Sequence, residues 1–134
     1  MKRGIFLHDI SHILLPCLIA VIIIYISPNV DIIKLMPAIF IGAFFPDIDH
    51  LVFKKYYRSY VRLFKYCIGD RTNHRRTFLF FHTWLTMLLI GISIPFGFIY
   101  NFYLGIFLLL FFSHLLLDLL TDIFMIKKCG HWRI

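Results

Sequence analysis

At 134 residues the chain is one domain at most, and its composition excludes an ordinary soluble one: 60% of residues are hydrophobic, 16 are phenylalanine and the mean hydropathy is +0.83. So much apolar surface cannot be hidden in a core of this size, so lipid is the expected solvent for most of it. The formal net charge is +7, and every one of the seven acidic residues is aspartate, which suggests carboxylates placed for a purpose rather than scattered over a solvated face.

The N-terminal run MKRGIFLHDISHILLPCLIAVIII has the basic start and apolar middle of a signal peptide. Polar residues interrupt its front half and no small-x-small cleavage site follows, so it reads as a retained helix over 5–27. Ser27-Pro28-Asn29 is a turn signal, and a second apolar segment runs over 32–46. Lys34 and Pro37 make that segment a short, tilted or re-entrant span. It ends in FFPDIDH (44–50), where Pro46 stops the helix and Asp47 or Asp49 suits a cap or turn.

The connector FKKYYRSYVRLFKYCI (53–68) has helical periodicity of its own. Phe53, Tyr56, Tyr57, Tyr60, Val61, Phe64 and Ile68 take one face, and Lys54, Lys55, Arg58, Arg62 and Lys65 the other. That is the pattern of an interfacial helix attracted to anionic lipid headgroups, and nucleic-acid binding is the weaker alternative. Apolar segments over 77–100 and 102–126 follow, each long enough for a hydrocarbon core of about 30 Å, with a turn at Tyr100-Asn101. The expected fold is all-α: residues 1–134 as a polytopic membrane bundle of about four transmembrane helices in two hairpins, with an interfacial helix in the central connector. Placing both termini in the cytoplasm puts every basic residue except Lys34 on that side. The three cysteines (Cys17, Cys67, Cys129) have neither the number nor the spacing of a disulfide framework or a CxxC metal site.

On this topology the ionisable residues gather at one end. His8, Asp9 and His12 belong to the cytoplasmic end of the first segment, Asp47, Asp49 and His50 to that of the second, and His74 and His82 to the start of the third. In the fourth, His114, Asp118 and Asp122 follow one another at i, i+4 and i+8 on one helix stripe. Each motif alone has an ordinary reading, as a hydrogen-bonded pair, an interfacial imidazole or a cap. Their joint occurrence does not, because a charged Asp118 facing lipid would cost several kcal/mol and the last two segments contain no Lys or Arg to neutralise it. A divalent cation satisfies several aspartates and histidines together, and neutral imidazole with carboxylate suits zinc, manganese or iron.

The same residues carry a resemblance. His12, GAFFPDIDH (42–50), NHRRTFLFFHTW (73–84) and SHLLLDLLTD (113–122) are similar in kind and order to the motifs of the YdjM-type family of predicted membrane-bound metal-dependent hydrolases. The likeness spans nearly the whole chain, and PDIDH with HLLLD is its most specific part. It implies an integral protein of a bacterial cytoplasmic (inner) membrane, with one or two divalent ions. The family's compact HRGxTHS-like element is absent: His74 and His82 stand eight residues apart, which favours His82 as the ligand and leaves His74 to substrate or surface.

Together these readings point to a membrane-embedded hydrolase. His12, Asp47, His50, His82, His114 and Asp118 would hold zinc or a similar ion, with His8 or His74 as additional metal or substrate contacts. Asp49 or Asp122 would take the proton of the activated water or orient a ligand histidine. A site just below the headgroups makes a lipid or headgroup ester the natural substrate, a phosphodiester first, with Arg71, Arg75 and Arg76 holding the phosphate. The alternatives are a non-enzymatic membrane protein stapled by a metal or polar cluster, and a metal-ion carrier.

Overall fold

The computed structural model describes the backbone of residues 2–49 and 80–126 and the side chains of residues 10–49 and 80–124. The expected interfacial helix over 53–68 lies outside the described residues. The described chain is helical: α1 (Lys2–Ile26), α2 (Ile32–Phe44) ending in a 3₁₀ turn over Phe45–Asp47, α3 (Trp84–Tyr100) and α4 (Phe102–Thr121), which runs on into a π-helical turn at Asp122–Ile126.

Each boundary has a local cause. Asp31 caps α2, its Oδ1 accepting from the amides of Ile33 and Lys34 at 3.0 and 3.4 Å. The Lys34 ammonium, 3.1 Å from the other oxygen, holds that carboxyl below the ordinary aspartate range. Thr83 caps α3 by accepting from the Thr86 amide at 3.1 Å, and Asn101 caps α4 by accepting from Tyr103 and Leu104 at 2.9 and 3.3 Å. Asn101 leaves no spacer between α3 and α4, so the two form a tight antiparallel hairpin.

The centre of the bundle is α4. Leu110 and Ile106 pack on Leu35 and Ile39 of α2, with Ile19, Ala20 and Ile23 of α1 closing that side. One turn further along, Phe111, Leu115 and Leu119 pack on Met87 and Ile90 of α3 and on Phe45 and Phe81. Phe45 meets Phe81, Phe107 and Phe111 at ring-centroid separations of 5.3, 6.1 and 5.8 Å, a wall of offset and edge contacts beside the polar end. At the opposite end the Asp31 amide donates to the Tyr103 hydroxyl at 3.1 Å, tying the first hairpin to α4.

The outward surface is apolar. Leu85, Leu88, Leu89, Ile92, Phe96 and Ile99 are exposed along α3, as are Ile13, Leu14, Leu18 and Val21 along α1. Hydrocarbon is the solvent that suits such faces. By length and composition one helix among the described residues can cross a membrane, Phe102–Phe124, with 23 residues at a mean hydropathy of 2.1. About four spans were expected, and the second and third helices are shorter than their apolar segments. The third begins at Trp84 rather than 77, because residues 80–83 form a non-helical approach, so it runs for 17 residues, about 26 Å. The second has 13 residues, which fits the short or re-entrant reading.

Small residues let the helices meet. A Cβ on Gly42 would lie 2.6 Å from the Phe107 backbone oxygen, an atom that cannot turn aside, so α2 and α4 touch here because glycine has no side chain. Gly42→Val is expected to lower stability by about 1–3 kcal/mol through overpacking, read as a lower unfolding midpoint in detergent. An unchanged midpoint would contradict the close approach.

Candidate metal centre

The polar end is built by equal lever arms. From Asp31 to Asp47 along α2 and from Tyr103 to Asp118 along α4 the chain advances roughly 15–16 residues, so carboxylates on both helices arrive at one level. His12 comes from α1, four residues before Pro16, which has no amide hydrogen to bond the His12 carbonyl. His82 comes from the turn ahead of α3. The sequence placed it inside the third span; it stands outside the helix because Thr83 starts that helix and Asp49 accepts the Phe81 amide at 3.1 Å.

Asp118 is the hub. Its Oδ1 is 3.5 Å from His12 Nε2, and its Oδ2 is 2.7 Å from His82 Nε2 and 3.4 Å from His114 Nε2. Asp47 Oδ1 approaches His114 Nε2 at 3.5 Å from the other side. Ligand-type atoms of His12, His114 and Asp118 lie within 4.8 Å of one another, as do those of Asp47, His82 and His114. Asp49, Asp118, Asp122, His82 and His114 are buried, whereas the Asp47 side chain is 51% exposed and marks the open side.

The tautomer of His114 follows from its neighbours. Its Nδ1 is 2.6 Å from the Ala43 carbonyl, which only accepts, so Nδ1 carries a proton. His12 Nδ1 approaches the same nitrogen at 3.1 Å. His114 Nε2 is buried without a hydrogen-bond partner among the described residues, facing two carboxylates. In metal-free protein a proton on Nε2 would satisfy the two carboxylates, and a cation would take its place. The spacing also fits: a tetrahedral ion with bonds of about 2.0–2.2 Å separates its ligands by about 3.3–3.5 Å. The His114–Asp118, His114–Asp47 and His12–Asp118 separations are 3.4, 3.5 and 3.5 Å. The His82–Asp118 contact, at 2.7 Å, is a hydrogen bond and would have to lengthen. These residues therefore fit a divalent cation.

A cavity of about 10 Å³ adjoins the cluster between His12, Pro16, Ser113 and His114, room for one water-sized molecule. Of the residues expected at the site, His12, Asp47, His82, His114 and Asp118 come together, Asp49 stands behind His82, and Asp122 is buried one turn beyond Asp118. His50, His74, Arg71, Arg75 and Arg76 lie outside the described residues, as does the side chain of His8. The Ala43 carbonyl was missed, since a backbone acceptor has no sequence signature; the adjoining Gly42-Ala43 pair was the available sign that another helix comes close.

Neither a curated protein nor a solved structure matches this chain. A family model does, over residues 8–125, which takes in every described residue of the cluster, and its description is YdjM inner membrane protein. The motifs that suggested the family are those that fold into the polar end of the bundle, and with a match over most of its length the chain belongs to the YdjM inner membrane protein family.

Proposed function

We propose that this membrane protein is a divalent-cation-dependent hydrolase of a lipid or lipid-headgroup ester, a phosphodiester in the first instance. The observation that carries the reading is His114 Nε2: buried, on a ring whose Nδ1 is held by the Ala43 carbonyl, and flanked by Asp47 and Asp118. His12, His82, His114, Asp47 and Asp118 would hold the cation, zinc before manganese or iron, with His50 as a further donor from the same motif. A cation bound there supplies a Lewis acid that makes a coordinated water acidic and polarises the ester oxygen.

The remaining roles fall to the chain's own groups. The cavity beside His12 and His114 has room for the water consumed in hydrolysis. Asp122, buried one helical turn from Asp118 and in neither three-residue ligand group, is assigned to accept a proton at its carboxylate. Arg71, Arg75 and Arg76 are assigned to the substrate phosphate on their sequence position. The distribution of basic residues supports four membrane-embedded segments with both termini and the site on the cytoplasmic side.

A second reading has its own support. The cluster draws side chains from α1, from the end of α2, from the approach to α3 and from α4, so a bound ion could serve purely as a staple. Elemental analysis of purified protein, coupled to a hydrolysis assay over phospholipids and lipid phosphates, decides. The expected outcome is one or two divalent ions per chain with turnover, and loss of both in His114→Ala protein that still inserts into membranes. Metal without turnover on any lipid favours the staple, and protein that takes up no zinc, manganese or iron ends both readings.

A further inference from the structure

Asp49 is the carboxylate the cluster leaves over. It comes from the same PDIDH motif as Asp47 and is 3% exposed, yet it belongs to neither of the three-residue groups whose ligand atoms converge. Its Oδ2 instead lies 3.1 Å from His82 Nδ1 and 3.1 Å from the Phe81 amide nitrogen. Its Oδ1 is buried without a hydrogen-bond partner among the described residues. On the far side of the same ring, His82 Nε2 points at Asp118 at 2.7 Å. One imidazole is therefore held between two carboxylates, one inside the ligand cluster and one behind it.

We propose that Asp49 is a positioning residue: it keeps the proton of His82 on Nδ1 and the ring in plane, so that Nε2 is presented to a divalent cation shared with Asp118. This rests on the divalent-cation reading of the site. A histidine ligand whose outer nitrogen donates to a carboxylate is fixed in tautomer and made more basic at the inner nitrogen. The backbone carbonyl of Ala43 does the same for His114, so the two buried histidines are oriented by two different kinds of acceptor. Because Asp49 also accepts the Phe81 amide, it sets the path of the turn that carries His82, which a carboxylate serving as proton acceptor for water would not need to do. Asp49 acts through His82 and does not touch the reacting atoms.

The test is a double-mutant cycle on zinc affinity in detergent-purified full-length protein, by competition with a chromophoric chelator, using Asp49→Ala, His82→Ala and the double variant. Asp49→Ala is expected to weaken zinc binding about 10–100-fold. Adding it to His82→Ala should change affinity by less than about threefold, because its path of action is already gone, and Asp49→Glu should recover part of the loss. Independent, multiplying losses would overturn the proposal, as would an unchanged affinity in Asp49→Ala. Nitrogen-15 spectra of histidine-labelled protein provide a readout that needs no metal. Wild-type His82 should carry a proton on Nδ1 whether or not zinc is bound, and Asp49→Ala should remove it. A wild-type Nδ1 without a proton overturns the positioning role even if zinc binds. Zinc-free protein that nonetheless shows the Asp49-dependent Nδ1 proton retains the positioning role and sinks only the cation reading.

Discussion

Asp118→Ala is expected to strip the protein of divalent metal and to destabilise it by about 3–5 kcal/mol, the range for removing one partner from a buried charged cluster. Three imidazoles face this single carboxylate, at 2.7, 3.4 and 3.5 Å. Alanine takes from His82 Nε2 its 2.7 Å acceptor and leaves His114 Nε2 with Asp47 at 3.5 Å, and no lysine or arginine lies in α3 or α4 to take the place of a cation. Asp118→Asn tests the charge separately from the shape. It should retain more of the packing yet lose most of the metal affinity, because an amide oxygen is a much poorer zinc ligand than a carboxylate. Metal content by elemental analysis and unfolding midpoint in detergent read the two effects apart. An Asp118→Ala protein that keeps both would show that the histidines have another partner.

Chelation of the wild-type protein should give the second large effect. A ligand that binds the folded state alone stabilises it according to its concentration over its Kd, about 2.7 kcal/mol at a hundredfold excess. Zinc held by side chains from α1, the end of α2, the approach to α3 and α4 would resist the separation of all four. The unfolding midpoint should therefore fall on adding a chelator and recover on adding zinc. His114→Ala protein should show no zinc-dependent shift, since it lacks the nitrogen that Ala43 and the two carboxylates prepare. A wild-type midpoint indifferent to zinc would remove the cation from the account of stability.

The helices were legible because their signals are local. The turn signals at Ser27-Pro28-Asn29 and Tyr100-Asn101 fall between α1 and α2 and between α3 and α4, Pro46 ends the second apolar run in a 3₁₀ turn, and the last segment's apolar length matches α4 with its π-helical turn. The start of α3 was misplaced for a reason local patterning cannot register. Phe80, Phe81 and His82 continue the apolar run in sequence, but a carboxylate 32 residues upstream takes the Phe81 amide, and the backbone of residues 80–83 is not helical. Lipid-facing and core-facing residues in such a chain are equally apolar, so hydropathy does not say which face packs inwards.

The candidate site divides along the same line. The sequence alone determined that this protein is helical and suited to lipid, and that His12, Asp47, His82, His114 and Asp118 would sit at one end of it, because hydropathy, charge bias and i, i+4 spacing are properties of short stretches. Only the tertiary structure decided what each polar group does within that end. Asp47 and Asp49 are two residues apart in one motif, yet one reaches His114 and the other turns behind His82. The physical reason is that a ligand set and its supporting shell depend on side-chain direction across helix contacts such as Gly42 against Phe107, and those contacts join residues far apart in the chain.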